Sequence, residues 1–186
     1  MTSFPLDPLG PLSEGLLQRG VHNFSEAVNF VRHLPYRRTS DKERLMTVLE
    51  ENCGTCSIKH AFLKQVATEQ DRDDIELVIG IYQMNQDNTP GIGNHLVTSG
   101  LPYLPEAHCY LRYQGQRFDY TLPESDIARL ASAIVEEKTI EAHQIGAFKV
   151  TFHQNYLRRW LTAEGLTMSL EQLWQIREQC IASLSK

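Results

Sequence analysis

Residues 75–84 constrain the fold more strongly than any other part of the chain. They read Ile-Glu-Leu-Val-Ile-Gly-Ile-Tyr-Gln-Met and are predominantly apolar and β-branched. A run of this length and composition is typical of a central strand that is covered on both faces. Residues 55–68 form the clearest buried helix of the sequence, so we expect a helix packed against a sheet.

The remaining patterns predict an α+β fold in which most helices come before and after the sheet. The 186 residues fit one domain, with a helical part at 1–50, a core at 51–121 and a second helical part at 122–186. The loop 85–106 is long enough to form a lid over a site. Helices are predicted at 12–19, 23–32, 41–51, 124–132, 147–161 and 169–184, and further strands at 107–113, 116–120 and 135–140.

Composition excludes several classes of function. The net charge of −5 and the small basic clusters, Arg37-Arg38 and Arg158-Arg159, argue against a nucleic-acid partner. No stretch approaches the roughly 20 apolar residues that a membrane span needs. The first dozen residues contain three prolines and lack the pattern of a signal peptide, so we expect a cytoplasmic protein with reduced cysteines.

The segment Gly54-Thr55-Cys56 stands where a turn becomes the buried helix. A thiol in the first helical turn faces the positive end of the helix dipole, which favours the nucleophilic thiolate. Gly54 allows the chain to bend and a substrate to approach closely. The backbone N–H of Cys56 is a candidate donor to an oxyanion.

A cysteine nucleophile needs a base, and the base needs a group that orients it. His108 is the candidate base because it lies near the start of the first hairpin strand, just after the long loop. Asp119 is the candidate orienting group on the second strand. Counted outward from the tight turn at Gln114-Gly115, both side chains fall on one sheet face, on a diagonal that a hydrogen bond can span.

These motifs resemble the transglutaminase-like superfamily. The resemblance rests on Gly54-Thr55-Cys56 before an apolar helix, on Ala107-His108-Cys109-Tyr110-Leu111 and on Arg117-Phe118-Asp119. It covers 52–121 and departs from the common His-Ala-Trp pattern, because Cys109 and Tyr110 follow His108. The resemblance implies a papain-like core and an acyl-enzyme on Cys56, with His108 as base and Asp119 as orienting residue.

The expected substrate is a peptide or small amide, with hydrolysis favoured over transfer to an amine. Candidate substrate-binding residues are Gly54, Thr55, His95 and Tyr110, and no cofactor or metal is expected. Three alternatives remain open: a transglutaminase-like binding module without turnover, a redox pair formed by Cys53 and Cys56, and a zinc site that adds His108 and Cys109. His60, four residues after Cys56, is a rival base whose place on the nucleophile's own helix favours a supporting role.

Overall fold

One four-stranded antiparallel sheet, with strand order β3-β2-β1-β4, forms the centre of the fold. The structure is a computed structural model that describes residues 3–184. Its strands are β1 (Ile75–Met84), β2 (Leu104–Tyr113), β3 (Gln116–Phe118) and β4 (Ile134–Ile140). Because β1 pairs with β2 along its whole length and with β4 on its other side, the prediction of a central strand is confirmed.

The helices complete an α+β architecture. The helix that begins at Cys56 packs across β1 and β2 and forms a buried core with one face of the sheet. No helix within residues 3–184 is long and apolar enough to cross a membrane. The helices are α1 (Pro11–Leu17), α2 (Phe24–His33), α3 (Thr47–Glu50), α4 (Cys56–Glu69), α5 (His95–Thr98), α6 (Ala128–Ala131), α7 (Ala147–Ala163) and α8 (Leu170–Leu184).

The predicted helix at 41–51 is largely absent, since only α3 is helical there. Side chains in this segment satisfy the backbone in other ways. The Asp41 carboxylate accepts from the Glu43 N–H (2.9 Å), and the Ser40 N–H and hydroxyl donate to the Glu51 carboxylate instead of capping a helix. Such local bonds compete with helix formation, which explains the difference.

Three other boundaries that affect the site differ from the prediction, and one of them is the strand predicted at 116–120, which ends at Phe118 and so leaves Asp119 outside it. β2 begins at Leu104, so His108 lies in the middle of the strand and not near its start. The long loop is correspondingly shorter and contains α5. The helix predicted at 124–132 is reduced to α6, a single turn.

The hairpin of β2 and β3 leaves part of β2 uncovered. Gln114 and Gly115 both have positive φ angles, 49° and 75°, as expected for the tight two-residue turn. β3 pairs only with residues 111–113, so residues 104–110 of β2 form an edge of the sheet on that side. Asp119 follows directly after β3 ends.

Lys59, a buried residue of α4, holds two segments beside the start of the helix. Its ammonium donates to the carbonyl oxygens of Leu34 (2.5 Å) and Thr121 (2.6 Å). Burial opposes the charge and lowers the pKa of Lys59 to about 8, although nearby anions such as the Cys56 thiolate act in the opposite direction. The chain near Tyr36 and the chain after Asp119 are therefore fixed to the same helix.

A buried ion pair joins β2 to α8. The Arg177 guanidinium donates to both carboxylate oxygens of Glu106, at 2.8 and 2.6 Å. The side chains are 12% and 6% exposed, so the pair is almost fully removed from water. Burial raises the pKa of Glu106, but the charges of Arg177, His153 and Lys149 outweigh it and lower that pKa to about 2.

Replacing Arg177 by Met should therefore destabilise the protein by about 3–5 kcal/mol, because it leaves a buried carboxylate without its cation. The free energy of unfolding in urea measures this. Glu106→Leu combined with Arg177→Met should recover most of the loss, since the double variant buries no unpaired charge. Glu178→Gln is the control, because Glu178 is more exposed and its bond to Arg177 is worth about 1 kcal/mol or less. An equal loss in the control and in Arg177→Met would contradict this assignment.

Candidate active site

Cys56 is the first residue of α4 and its side chain is largely covered, with 7% of the residue exposed. Thr55, the residue before it, is extended and provides no side-chain cap, so the first N–H groups of the helix stay available. A Cβ on Gly54 would lie 2.9 Å from Lys59 Cγ and 3.0 Å from Ile58 Cγ2. Glycine is therefore needed at 54 for the close packing of the turn on its own helix.

His108 and Asp119 are hydrogen-bonded, with 2.9 Å between His108 Nε2 and Asp119 Oδ2. Because a carboxylate can only accept, Nε2 carries the hydrogen and Nδ1 is the ring nitrogen left for Cys56. The Asp119 carboxylate also accepts from the N–H (2.9 Å) and the hydroxyl (2.6 Å) of Thr121. The structure thus brings together the three residues that the sequence predicted as nucleophile, base and orienting group.

His60 is fully buried next to this set, and its hydrogen bonds define its protonation. The backbone N–H of Tyr120 donates to His60 Nε2 (2.8 Å), so that nitrogen is unprotonated. Nδ1 lies 2.8 Å from the backbone oxygen of Cys56 and donates to it. Burial, aided by the charge of His108, lowers the pKa of His60 to about 4 against the attraction of Asp119. A neutral ring with both nitrogens engaged supports the site and leaves no nitrogen for the Cys56 thiol.

The charges around Cys56 favour its thiolate. Burial opposes ionisation, but the positive charges of Lys149 and His108, with hydrogen bonds from His108 and the Cys109 backbone, lower the pKa of Cys56 to about 6. Burial also disfavours the charged form of His108, yet Asp119 and Cys56 raise the pKa of His108 well above its ordinary value. A thiolate facing an imidazolium is therefore the favoured state near neutral pH.

Two cavities meet at Cys56, and both are also lined by Tyr36, Glu106 and Ile181. The first has a volume of about 380 Å³ and contains His108 and Asp119 in its wall. The second measures about 710 Å³ and extends towards α7 and α8. Both volumes lie in the range of roughly 300–1,000 Å³ that is usual for small-molecule sites.

Of the four predicted substrate-binding residues, only Thr55 lines one of these cavities, the larger one. Gly54 packs against its own helix, as described above. His95 lies in α5, where its Nε2 is 3.1 Å from the Ser183 hydroxyl. The Tyr110 hydroxyl donates to Glu137 (2.5 Å) and lies over Gly80, where a Cβ would come within 2.7 Å of it.

Three residues of the site were not among the predicted site residues. The Lys149 ammonium donates to the Ser57 hydroxyl oxygen (2.5 Å), and both residues line the larger cavity. Tyr36 lines both cavities, and burial together with the nearby Cys56 and Glu106 raises its pKa well above the ordinary value, so its hydroxyl remains a donor. The sequence gives no signal for Lys149, because only tertiary packing brings α7 to the start of α4.

The other roles considered for the cysteines find no geometric support. All four cysteines are free. The segment before Cys53-Gly54-Thr55-Cys56 is helical, whereas a thioredoxin-like pair follows a strand. Across residues 3–184 no group of three or more His, Cys, Asp or Glu side chains is arranged to hold a metal ion.

Comparison of the chain with protein-family models, with curated proteins and with solved structures finds no match. The chemistry of the site is therefore inferred from its own residues.

The neutral state of His60 has a consequence for stability. An unfolded histidine binds a proton below about pH 6.5, whereas folded His60, with a pKa of about 4, does not. The unfolded state therefore holds more protons between these values. We expect His60 to lower the free energy of unfolding by up to about 3 kcal/mol as the pH falls from 6.5 to 4.

Urea unfolding of wild type and His60→Gln between pH 7.5 and 4 measures this effect, because the other titrating groups are common to both proteins. The stability advantage of wild type over the variant should shrink as the pH falls through that window. Two curves that stay parallel would show that His60 does not titrate in this way.

Proposed function

We propose that this chain is a cysteine-dependent acyl-transfer enzyme that acts on an amide or peptide bond, with hydrolysis as the favoured outcome. The observation that carries the proposal is that the Cys56 thiol and the hydrogen-bonded pair of His108 and Asp119 lie in the wall of one cavity. The resemblance of the three motifs to the transglutaminase-like superfamily supports the same chemistry. Cys56 is the proposed nucleophile, His108 the acid and base, and Asp119 the orienting residue.

The first half of the reaction forms a thioester. The Cys56 thiolate attacks the carbonyl carbon of the substrate, and the carbonyl electron pair moves to oxygen to give a tetrahedral intermediate. When the intermediate collapses, the C–N bond breaks and the His108 imidazolium gives its proton to the leaving amine. The acyl group then remains on Cys56, and His108 is neutral.

The second half releases the acyl group. Neutral His108 takes a proton from water as the water attacks the thioester, and collapse of the second intermediate frees a carboxylic acid and regenerates the thiolate–imidazolium pair. Asp119 keeps the ring orientation constant through both halves because it is held by Thr121 as well as by His108.

Developing negative charge on the substrate oxygen needs donors. The backbone N–H groups at the uncapped start of α4 supply one set, as the sequence predicted for Cys56. The neutral hydroxyl of Tyr36, in the wall of both cavities, is a second candidate donor. The two cavities also provide space on both sides of the bond that is cleaved.

The nucleophile can be tested with an activated acyl ester such as p-nitrophenyl acetate. Wild type should release a burst of p-nitrophenolate and gain one acetyl group that peptide mass spectrometry locates on Cys56. Cys56→Ala should lose both signals, because no other group replaces the thiolate. Cys180→Ala is the matched control, since Cys180 is buried in α8 outside both cavities, and it should keep the burst.

An undiminished burst in Cys56→Ala would refute the nucleophile assignment. A wild-type thiol that alkylates rapidly but never accepts an acyl group, from this ester or from a panel of amides, would instead favour the binding module without turnover.

His108 can be tested with a p-nitroanilide, whose leaving amine must be protonated as the C–N bond breaks. His108→Ala should slow acylation by this amide by roughly 10²–10⁴-fold, because the leaving amine loses its acid. His143→Ala, an exposed histidine outside the site, is the control and should leave the rate unchanged. Equal rates in wild type and His108→Ala, with Cys56 still acylated, would show that His108 is not the base.

A further inference from the structure

Lys149 lies next to the nucleophile but belongs to neither the base nor its orienting group. It is carried by α7 and its ammonium donates to the hydroxyl oxygen of Ser57, the residue after Cys56. Ser57 Oγ in turn lies 3.8 Å from Cys56 Sγ, within hydrogen-bond range for sulfur. A continuous polar chain therefore runs from Lys149 through Ser57 to the sulfur atom.

The direction of these bonds follows from the chemistry of the groups. An ammonium can only donate, so the Ser57 oxygen accepts from Lys149 and its own hydrogen is free to point elsewhere. The Cys56 sulfur is a neighbour that can accept that hydrogen once it is a thiolate. Lys149 makes the Ser57 hydroxyl a stronger donor, because a bond to a charged group polarises it.

The charge of Lys149 lacks a carboxylate partner. Within residues 3–184 no carboxylate oxygen lies at ion-pair distance from its ammonium, although Glu106 is near enough to attract it. Burial disfavours the ammonium, but the Cys109 and Cys56 sulfurs and Glu106 raise the pKa of Lys149 above its ordinary value. A half-buried cation of this kind needs a counter-ion, and the thiol of Cys56, joined to Lys149 through Ser57, is a group able to become one.

We propose that Ser57 and Lys149 form a second arm that stabilises the Cys56 thiolate from the larger cavity, while His108 stabilises it from the smaller one. Ser57 contacts the sulfur, and Lys149 acts through Ser57 as a positioning residue. No covalent step is involved: Lys149 keeps its proton, and Ser57 donates a hydrogen bond. The inference rests on the proposed role of Cys56 as a nucleophile and extends it to the state of the enzyme when His108 is neutral.

Other charged groups around the sulfur come from several elements. Glu106, in β2, is neutralised by Arg177 of α8, and Asp119 is paired with His108. Lys59 is directed to two carbonyl oxygens behind the helix start, and His60 is neutral. Tyr36 remains protonated.

Cys109 is the group that competes most directly with Cys56 for this arm. Burial raises the pKa of Cys109, although Lys149 and a hydrogen bond with Ser57 act against that rise. Its thiol therefore stays neutral where Cys56 ionises. The negative charge next to Lys149 accordingly resides on Cys56.

If Ser57 and Lys149 stabilise the thiolate, Cys56 should stay reactive after His108 is removed. Thiolate formation is followed by iodoacetamide labelling of Cys56 across pH 5–10, read by peptide mass spectrometry, and by thiolate absorbance on the same samples. Wild type should ionise near pH 6. His108→Ala should keep a midpoint below the ordinary thiol value of about 8.5, and adding Lys149→Met to it should raise the midpoint by a further one to three units.

Single variants separate a charge effect from a packing effect. Lys149→Met should raise the midpoint by about one unit or more, Ser57→Ala by a smaller amount, and Lys149→Arg should restore most of the wild-type value. Lys42→Met is the matched control, because Lys42 lies in the wall of the same cavity without a bond to Ser57, and it should change the midpoint little. Circular dichroism checks that each variant is folded.

The proposal is overturned if Lys149→Met leaves the midpoint unchanged in a folded protein, or if Lys42→Met shifts it equally. If Lys149→Met does not fold, Ser57→Ala and Lys149→Arg test the proposal instead. An unchanged midpoint in Ser57→Ala also overturns the proposal. This readout is independent of acylation. A shifted midpoint without acyl-enzyme would refute the proposed function alone, and acylation with an unshifted midpoint would refute the second arm alone.

Discussion

The buried carboxylate of Asp119 is the group on which the rest of the site depends. Its side chain is 6% exposed, and it accepts hydrogen bonds from His108 and from the N–H and hydroxyl of Thr121. A carboxylate in such surroundings is stable only if several donors satisfy it. The bonds from Thr121 hold the carboxylate in place, and the carboxylate in turn fixes the ring of His108. The fixed ring has its second nitrogen left for Cys56. His60, 3.7 Å from the carboxylate, stays neutral and so does not compete for its charge.

The position of the site follows from the short length of β3. β3 pairs only with residues 111–113, the last three residues of β2. The preceding part of β2 therefore has no neighbouring strand on that side. α4 packs against β2, and Cys56 at its start lines the same cavity as His108 in that part of the strand. The same geometry places a thiol, a histidine and unused N–H groups around one point.

Three buried charges around the site are tolerable because each has a partner. Glu106 has Arg177, Asp119 has His108, and Lys59 has two carbonyl oxygens. Removing water also strengthens the attraction of the Cys56 thiolate to Lys149 and His108, and this is what gives a thiol in a covered position a lowered pKa. Without these partners, burial alone would raise the pKa of Cys56.

The local sequence pattern was sufficient to predict the strand and the hairpin that carry His108 and Asp119. The apolar run at 75–84 predicts a strand, the turn at Gln114-Gly115 predicts a hairpin, and even spacing from that turn places His108 and Asp119 on one face, where they are hydrogen-bonded. These features depend on neighbours in sequence and on the period of two along a strand. The apolar pattern of 41–51 predicts a helix, but the structure has little helix there. Side-chain bonds such as that from Ser40 to Glu51 replace it, and an apolar pattern does not reveal such bonds.

The sequence by itself therefore determined the α+β class, the central strand, the buried helix and the candidate set of Cys56, His108 and Asp119. Only the tertiary structure decided which other groups surround the sulfur, and Lys149 is 93 residues from Cys56 along the chain. It likewise decided that Tyr110 and His95 lie outside the two cavities. The physical reason is that charge interactions act through space, whereas periodicity and turn chemistry act along the chain.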